Sequence, residues 1–208
     1  MKITVIGASA GIGLITVQKA LERGHEVRAL SRDTSAIPDH PLLTRINGSA
    51  TAVDDVKKAI ADTQLVIVTI GTKNKKPNTL FSDSAETLVS AVSALGTDPL
   101  ILVVTGFGAG ESSRYLNFFM RTVIRFFLKN QYINKSLMED IISSSALRWE
   151  IIRPGMLSNA PGTKKYRILP DLYKGMKVGK ISRHDVSDFL LAQAENPTMT
   201  GKYPALTN

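Results

Sequence analysis

Gly7-Ala8-Ser9-Ala10-Gly11-Ile12-Gly13 decides how the rest of the chain is read, because of what flanks it. Before it, Lys2-Ile3-Thr4-Val5-Ile6 is a short β-branched run with the character of a buried strand. After it, Leu14, Ile15, Val17, Ala20 and Leu21 recur at helical spacing until Arg23-Gly24 stops the pattern. Strand, glycine turn and helix together make a phosphate cradle. The glycines let the backbone turn tightly and approach a pyrophosphate, and the helix N-terminus offers free N–H groups and partial positive charge. All seven residues of the turn, Gly7, Ala8, Ser9, Ala10, Gly11, Ile12 and Gly13, are therefore candidate dinucleotide contacts. The blander reading is a turn that serves only close packing of helix on sheet.

The second strand, Glu26–Leu30, ends beside the expected adenosine ribose. An NAD site usually places a carboxylate there to grip the 2′-hydroxyl. Here the residues are Ser31-Arg32, with Asp33 one step further on. A guanidinium beside a hydroxyl suits a 2′-phosphate, so NADP(H) is the preferred cofactor and NAD(H) the second choice. Arg28 assists if it faces the same side.

Strand and helix patterns alternate along the chain, which predicts an α/β fold: one Rossmann-like, doubly wound parallel β-sheet flanked by helices, forming a single domain over residues 1–208. Further strands are expected at 42–46, 65–70, 100–105 and 149–152, with a terminal strand around Tyr203-Pro204. Further helices are expected at about 51–61, 80–95, 113–129, 135–146 and 183–195. Gly71–Pro77 reads as a loop at the carboxyl end of its strand.

The 208 residues are 43% hydrophobic, enough for a full core, and no run approaches the roughly 18 apolar residues that span a bilayer. No leader pattern precedes the first strand, so a cytoplasmic location is expected. With no cysteine and three scattered histidines, His25, His40 and His184, neither a disulfide nor a metal site is expected. The net charge of +8 raises the question of a nucleic-acid surface. However, the basic residues are dispersed over Lys57-Lys58, Lys73/Lys75/Lys76, Arg114/Arg121/Arg125/Lys129 and Lys164-Lys165-Arg167, with no nucleic-acid-binding motif beside them. Attraction of an anionic cofactor is the simpler account, and a small-molecule acceptor is the expected partner.

The Gly-x-x-x-Gly-x-Gly spacing of the turn resembles the short-chain dehydrogenase/reductase superfamily. So do the Gly48-Ser49 loop, the strand end Ile70-Gly71-Thr72 and the segment Val104-Thr105-Gly106-Phe107-Gly108. The resemblance continues through Lys135 with Glu139, Trp149-x-Ile-Ile-Arg-Pro-Gly and Ser182-Arg183-His184-Asp185-Val186. Together these look like the small atypical reductases that include biliverdin reductase B-like flavin reductases and NmrA-like proteins. The resemblance implies cofactor contacts at Gly48, Ser49, Ile70, Gly71, Thr72, Thr105, Lys135, Pro154 and Gly155. It also implies substrate-side elements at about 106–131 and 153–180.

Most of the superfamily works with Tyr-x-x-x-Lys, in which the ammonium lowers the phenol's pKa for proton transfer. Lys135 stands in the expected helix, but Gln131 is four residues before it and Tyr132 three. A regular helix is expected to turn Tyr132 away from the family's position. The literal match Tyr173-Lys174-Gly175-Met176-Lys177 follows Pro170 and contains a glycine, so it is read as coincidence. Thr105, Tyr132 and Lys135 remain the catalytic candidates, with no complete relay among them.

That gap disfavours alcohol dehydrogenation, which needs a base for the hydroxyl proton. It favours hydride transfer to a flavin, quinone or conjugated carbonyl, where the acceptor's π-system holds the charge. On this reading Tyr132→Phe leaves flavin reduction largely intact. The alternative is a non-catalytic NAD(P)-binding sensor of NmrA type; a nucleotide-sugar epimerase is a third reading. The segment 114–129 contains four of the seven phenylalanines, with Arg114, Arg121 and Arg125 on one helical face. It reads first as a core helix. A wall for a flat acceptor, a homodimer face and a basic amphipathic membrane-surface helix are its other readings.

Overall fold

The computed structural model of the chain describes residues 1–72 and 76–208, and Lys73 and Lys75 of the expected basic loop lie outside the described residues. The first strand, β1 (Lys2–Ile6), leads through the glycine turn into α1 (Gly11–Glu22) and returns as β2 (Glu26–Ser31). Then follow β3 (Leu43–Asn47), α2 (Val53–Ile60), β4 (Leu65–Val68), α3 (Leu80–Leu95) and β5 (Leu100–Val104). After an irregular region come α4 (Phe118–Val123), α5 (Lys129–Ser143), β6 (Arg148–Pro154), the short strands β7 (Met156–Ser158), β8 (Arg167–Leu169) and β9 (Lys180–Ser182), α6 (Arg183–Glu195) and β10 (Ala205–Thr207).

The main sheet runs β3-β2-β1-β4-β5-β6-β10-β8, parallel throughout except for the antiparallel edge strand β8. Its central strands are apolar on both faces, as a sheet covered on both sides requires. On one face Val17, Ala20 and Leu21 of α1 pack with Phe189, Leu190 and Leu191 of α6. On the other, α2, α3 and α5 contribute Val56, Phe81, Leu88, Met138 and Ile142. The order reverses between β1 and β4, and this is where a doubly wound sheet opens a crevice at its strand ends.

The pattern expected at 113–129 and 135–146 is divided differently. A 3₁₀ turn occupies Gly110–Tyr115, and the chain restarts at Asn117, whose side chain accepts a hydrogen bond from the Met120 amide at 2.8 Å. A π-helical stretch, Ile124–Leu128, joins α4 to α5, which is regular through residues 131–134.

Glu150, on β6, is fully buried, and its Oε2 has no hydrogen-bond partner among the described residues. Burial pushes its pKa from 4.5 up to about 7, against weaker opposing bonds from Met199 and Thr200. The native state thus holds this proton more tightly than the unfolded chain, so stability falls as pH rises from about 4.5 through 7. Glu150→Gln is expected to stabilise the protein by on the order of 2 kcal/mol at pH 8 and by far less at pH 5. Urea unfolding at the two pH values measures this; an equal change at both would remove the titration as its cause.

Candidate active site

The glycine turn is shaped by close approaches. Gly7 has φ +85°, and a Cβ there would lie 2.8 Å from the Ile70 amide nitrogen. A Cβ on Gly13 would lie 2.2 Å from the Gly7 carbonyl oxygen, so α1 begins hard against the turn. Ala10, at the N-cap of α1, supplies no side-chain hydrogen bond, and the first helical turn holds no acidic residue. Gly11 and Ile12, which open α1, line the crevice, and among the described residues no side chain caps this helix start, an arrangement suited to an anion.

The crevice, about 520 Å³, is lined by Gly7, Ser9, Ala10, Gly11 and Ile12 of the turn, by Ser31 and Arg32, by Gly48 and Ser49, and by Ile70, Gly71, Thr72, Thr105 and Lys135. Four of the expected cofactor contacts fall elsewhere. Ala8 is fully buried and Gly13 is shut in by the Gly7 carbonyl, so they shape the turn from within. Pro154 and Gly155 line a neighbouring pocket. Ser31 Oγ lies 2.7 Å from Ser9 Oγ and ties the second strand to the turn, leaving Arg32 exposed at the rim. Asp33 accepts from the Ser35 amide at 2.9 Å, and that bond holds its carboxyl below the usual range. Asp33 thus serves its own loop. Arg28 reaches the Ala61 carbonyl and takes no part in the crevice.

Arg183 was not among the expected contacts. Its Nε would lie 3.6 Å from a Cβ on Gly11, and its guanidinium donates to Asn159 Oδ1 at 2.7 Å. Ser182 caps α6 through the Asp185 amide at 2.9 Å, which makes Arg183 the first helical residue. The segment Ser182–Val186 showed a helix start, but not that α6 begins opposite the glycine turn.

A second, mainly apolar pocket of about 350 Å³ meets the crevice at Thr105, Lys135 and Leu157. Gly106, Phe119, Met120, Val123, Leu128, Tyr132, Pro154, Gly155 and Met156 complete its wall. The segments 106–131 and 153–180 both line this pocket, the second only with residues 154–157.

Tyr132 is placed differently from expectation. Residues 131–134 are regular helix, yet Tyr132 shares a face with Lys135, because positions three apart are neighbours on a helix. Lys135 Nζ is 5.3 Å from the Tyr132 ring centroid. The phenol oxygen would lie only 3.0 Å from a Cβ on Gly106, so the absence of a side chain there gives the hydroxyl its room. Burial, reinforced by the negative charge of Glu139, raises the Tyr132 pKa. The phenol is thus a neutral hydrogen-bond donor, not an activated phenolate.

Lys135 Nζ donates to the Thr105 carbonyl at 2.5 Å. Its burial lowers the pKa to about 8, partly offset by attraction to Glu139. Thr105 does not offer its hydroxyl to the crevice, because that group donates to Glu139 Oε1 at 2.5 Å. The same carboxylate receives Arg153 Nε at 3.1 Å and Nη2 at 2.6 Å, and the guanidinium lies 4.3 Å above the Tyr203 ring. Arg153 and Thr105 therefore belong to a buried frame behind Lys135. Tyr173 is exposed in a non-helical segment and lines neither cavity.

The chain belongs to the NAD(P)H-binding family, which matches residues 7–197. It is 27% identical over 206 residues, 94% of this chain and 88% of the relative, to the uncharacterized sugar epimerase YhfK of Bacillus subtilis. A shorter match, 43% over 60 residues, covers 29% of this chain and spans only 16% of the 3-beta-hydroxysteroid dehydrogenase of Mycolicibacterium neoaurum. Among solved structures, ChuY, an anaerobilin reductase from Escherichia coli O157:H7, superposes with a TM-score of 0.84 at 21% identity, over 100% of this chain and 97% of that one. A short-chain dehydrogenase/reductase from Veillonella parvula in complex with NADP superposes with a TM-score of 0.86 at 17% identity, over 100% and 94%. These likenesses establish the α/β Rossmann-like fold.

Proposed function

We propose that this chain is an NADPH-dependent reductase, acting as a single domain, that reduces a small planar acceptor: a flavin, a quinone or a conjugated carbonyl. The carrying observation is the junction of the two cavities at Thr105, Lys135 and Leu157, where a polar crevice ending in a phosphate cradle meets an apolar pocket. Bound NADPH would supply hydride to an acceptor in that pocket. The chain's own residues then have separate tasks. The first N–H groups of α1 and Arg183 face the pyrophosphate position, and Arg32 faces the 2′-phosphate position. Lys135, held by the Thr105 carbonyl, has its place at the nicotinamide ribose. Phe119, Met120, Val123 and Leu128 exclude water from a flat acceptor, and Tyr132 presents a phenol proton to it. The NADP complex of the Veillonella parvula relative and the reductase activity named for ChuY support this reading.

The test is NADPH oxidation by the purified protein, with NADH alongside, against FMN, a benzoquinone and an aromatic aldehyde. Turnover with any of them supports the reductase. Stoichiometric NADPH binding with no turnover assigns the chain to the sensor class instead.

Arg32→Ala is expected to weaken NADPH by about 1–3 kcal/mol, the worth of one charge-assisted bond, and to leave NADH nearly unchanged. Fluorescence titration with both nucleotides measures this. Equal weakening of the two would remove Arg32 as the reader of the 2′-phosphate.

A further inference from the structure

The phenylalanine-rich segment is not a core helix. Phe118 is 86% exposed, Phe126 72%, Phe119 63% and Phe127 62%, while Ile124 alone is buried within α4 and the π-helical stretch. Ile133 and Leu137 extend the exposed apolar surface along α5. So many large apolar side chains presented together mark a surface meant to be covered.

We propose that this face docks on an anionic phospholipid surface. Charge selects the occupant. Arg114, Arg121, Arg125 and Lys129 are all exposed among these phenylalanines, and the sequence from Ser112 to Met138 contains no acidic residue. The Arg125 guanidinium carbon lies 5.9 Å from the Phe126 ring centroid, so cation and aromatic ring sit side by side. Rings that enter the acyl boundary beside cations that meet lipid phosphates are the chemistry of an interfacial amphipathic segment. A second copy of the chain fits less well. A twofold contact through this segment would set its four cations against their own copies with no carboxylate from the segment to answer them. Among the described residues no helix is long and apolar enough to cross a membrane.

The apolar pocket reaches the same surface, since Phe119 both lines the pocket and stands exposed on this face. If the pocket holds the acceptor, as proposed above, docking would turn its mouth toward the bilayer and open it to a lipid-dissolved acceptor. The docking itself does not depend on that reading, because it is measured without turnover.

The test is co-sedimentation of the full chain with vesicles of phosphatidylcholine alone or mixed with phosphatidylglycerol. Binding to the mixed vesicles is expected, and it should fall by about tenfold or more in high salt, which screens the cations. The double variant Phe126→Ser/Phe127→Ser should lose vesicle binding to a similar degree. It should still bind NADPH, because both side chains lie outside the two cavities and their truncation leaves no hole in the core. Protein that stays in the supernatant with mixed vesicles, or a double variant that binds as the parent does, would overturn the proposal. So would a dimer, seen by sedimentation equilibrium, that the double variant converts to monomer, because that assigns the face to a second copy.

Discussion

Glu139→Ala is expected to destabilise the protein by about 3–5 kcal/mol, a large fraction of what holds a domain of this size together. The carboxylate is 1% exposed and accepts from Arg153 twice and from Thr105 once. Its removal leaves a guanidinium that is 3% exposed with no counter-charge and no bidentate acceptor. It also frees the Thr105 hydroxyl, whose only other acceptor among the described residues is the Ile152 carbonyl at 3.5 Å. Gly110 adds a geometric constraint, since a Cβ there would lie 2.5 Å from Glu139 Oε2 and 2.8 Å from Arg153 Nη2, so the pair is enclosed by backbone as well. Urea unfolding measures the loss. Replacing both partners, as in Glu139→Met/Arg153→Met, should recover much of it, because the cost comes from orphaning one charge rather than from losing the pair. A loss below 1 kcal/mol in the single variant would mean that water reaches Arg153 and that the frame is not buried as described.

This frame also shows why the site was only partly legible in the sequence. The cofactor half is local: strand, turn and helix follow one another between Lys2 and Glu22, and each later loop at the carboxyl edge is read from the strand that precedes it. The helices at 80–95 and 183–195 fall where their periodicity puts them for the same reason. The apolar pocket and the frame behind it are assembled from residues far apart in the chain. The carboxylate that captures Thr105 is 34 positions away, and nothing in the strand-end pattern shows the threonine turned from the crevice. Likewise, Arg183 reaches the glycine turn only because α6 packs beside α1. The phenylalanine segment is a different case. Periodicity shows that a face is apolar, but whether another element covers it is decided by tertiary packing, and among the described residues none does.

Tyr132→Phe should separate the acceptors by chemistry. The phenol oxygen sits beside Gly106 in the apolar pocket with Lys135 Nζ nearby, and burial keeps it protonated. Hydride delivered to a carbonyl carbon leaves charge on one oxygen, which needs a proton or a strong donor as it forms. There the loss of the hydroxyl should lower kcat by about 10²–10⁴-fold, the usual contribution of a positioned acid. Hydride delivered to a flavin or quinone spreads its charge over a conjugated ring, and the change should stay within a few-fold. NADPH affinity should be unaltered in either case, because Tyr132 lines the apolar pocket and not the crevice. Steady-state rates with an aromatic aldehyde and a benzoquinone, beside NADPH titration, give the comparison. An equal and large fall for both acceptors would make Tyr132 a positioning residue for the ring itself. No fall for the aldehyde would return the proton donor to solvent and leave Lys135 as the sole ionisable group at the junction of the two cavities.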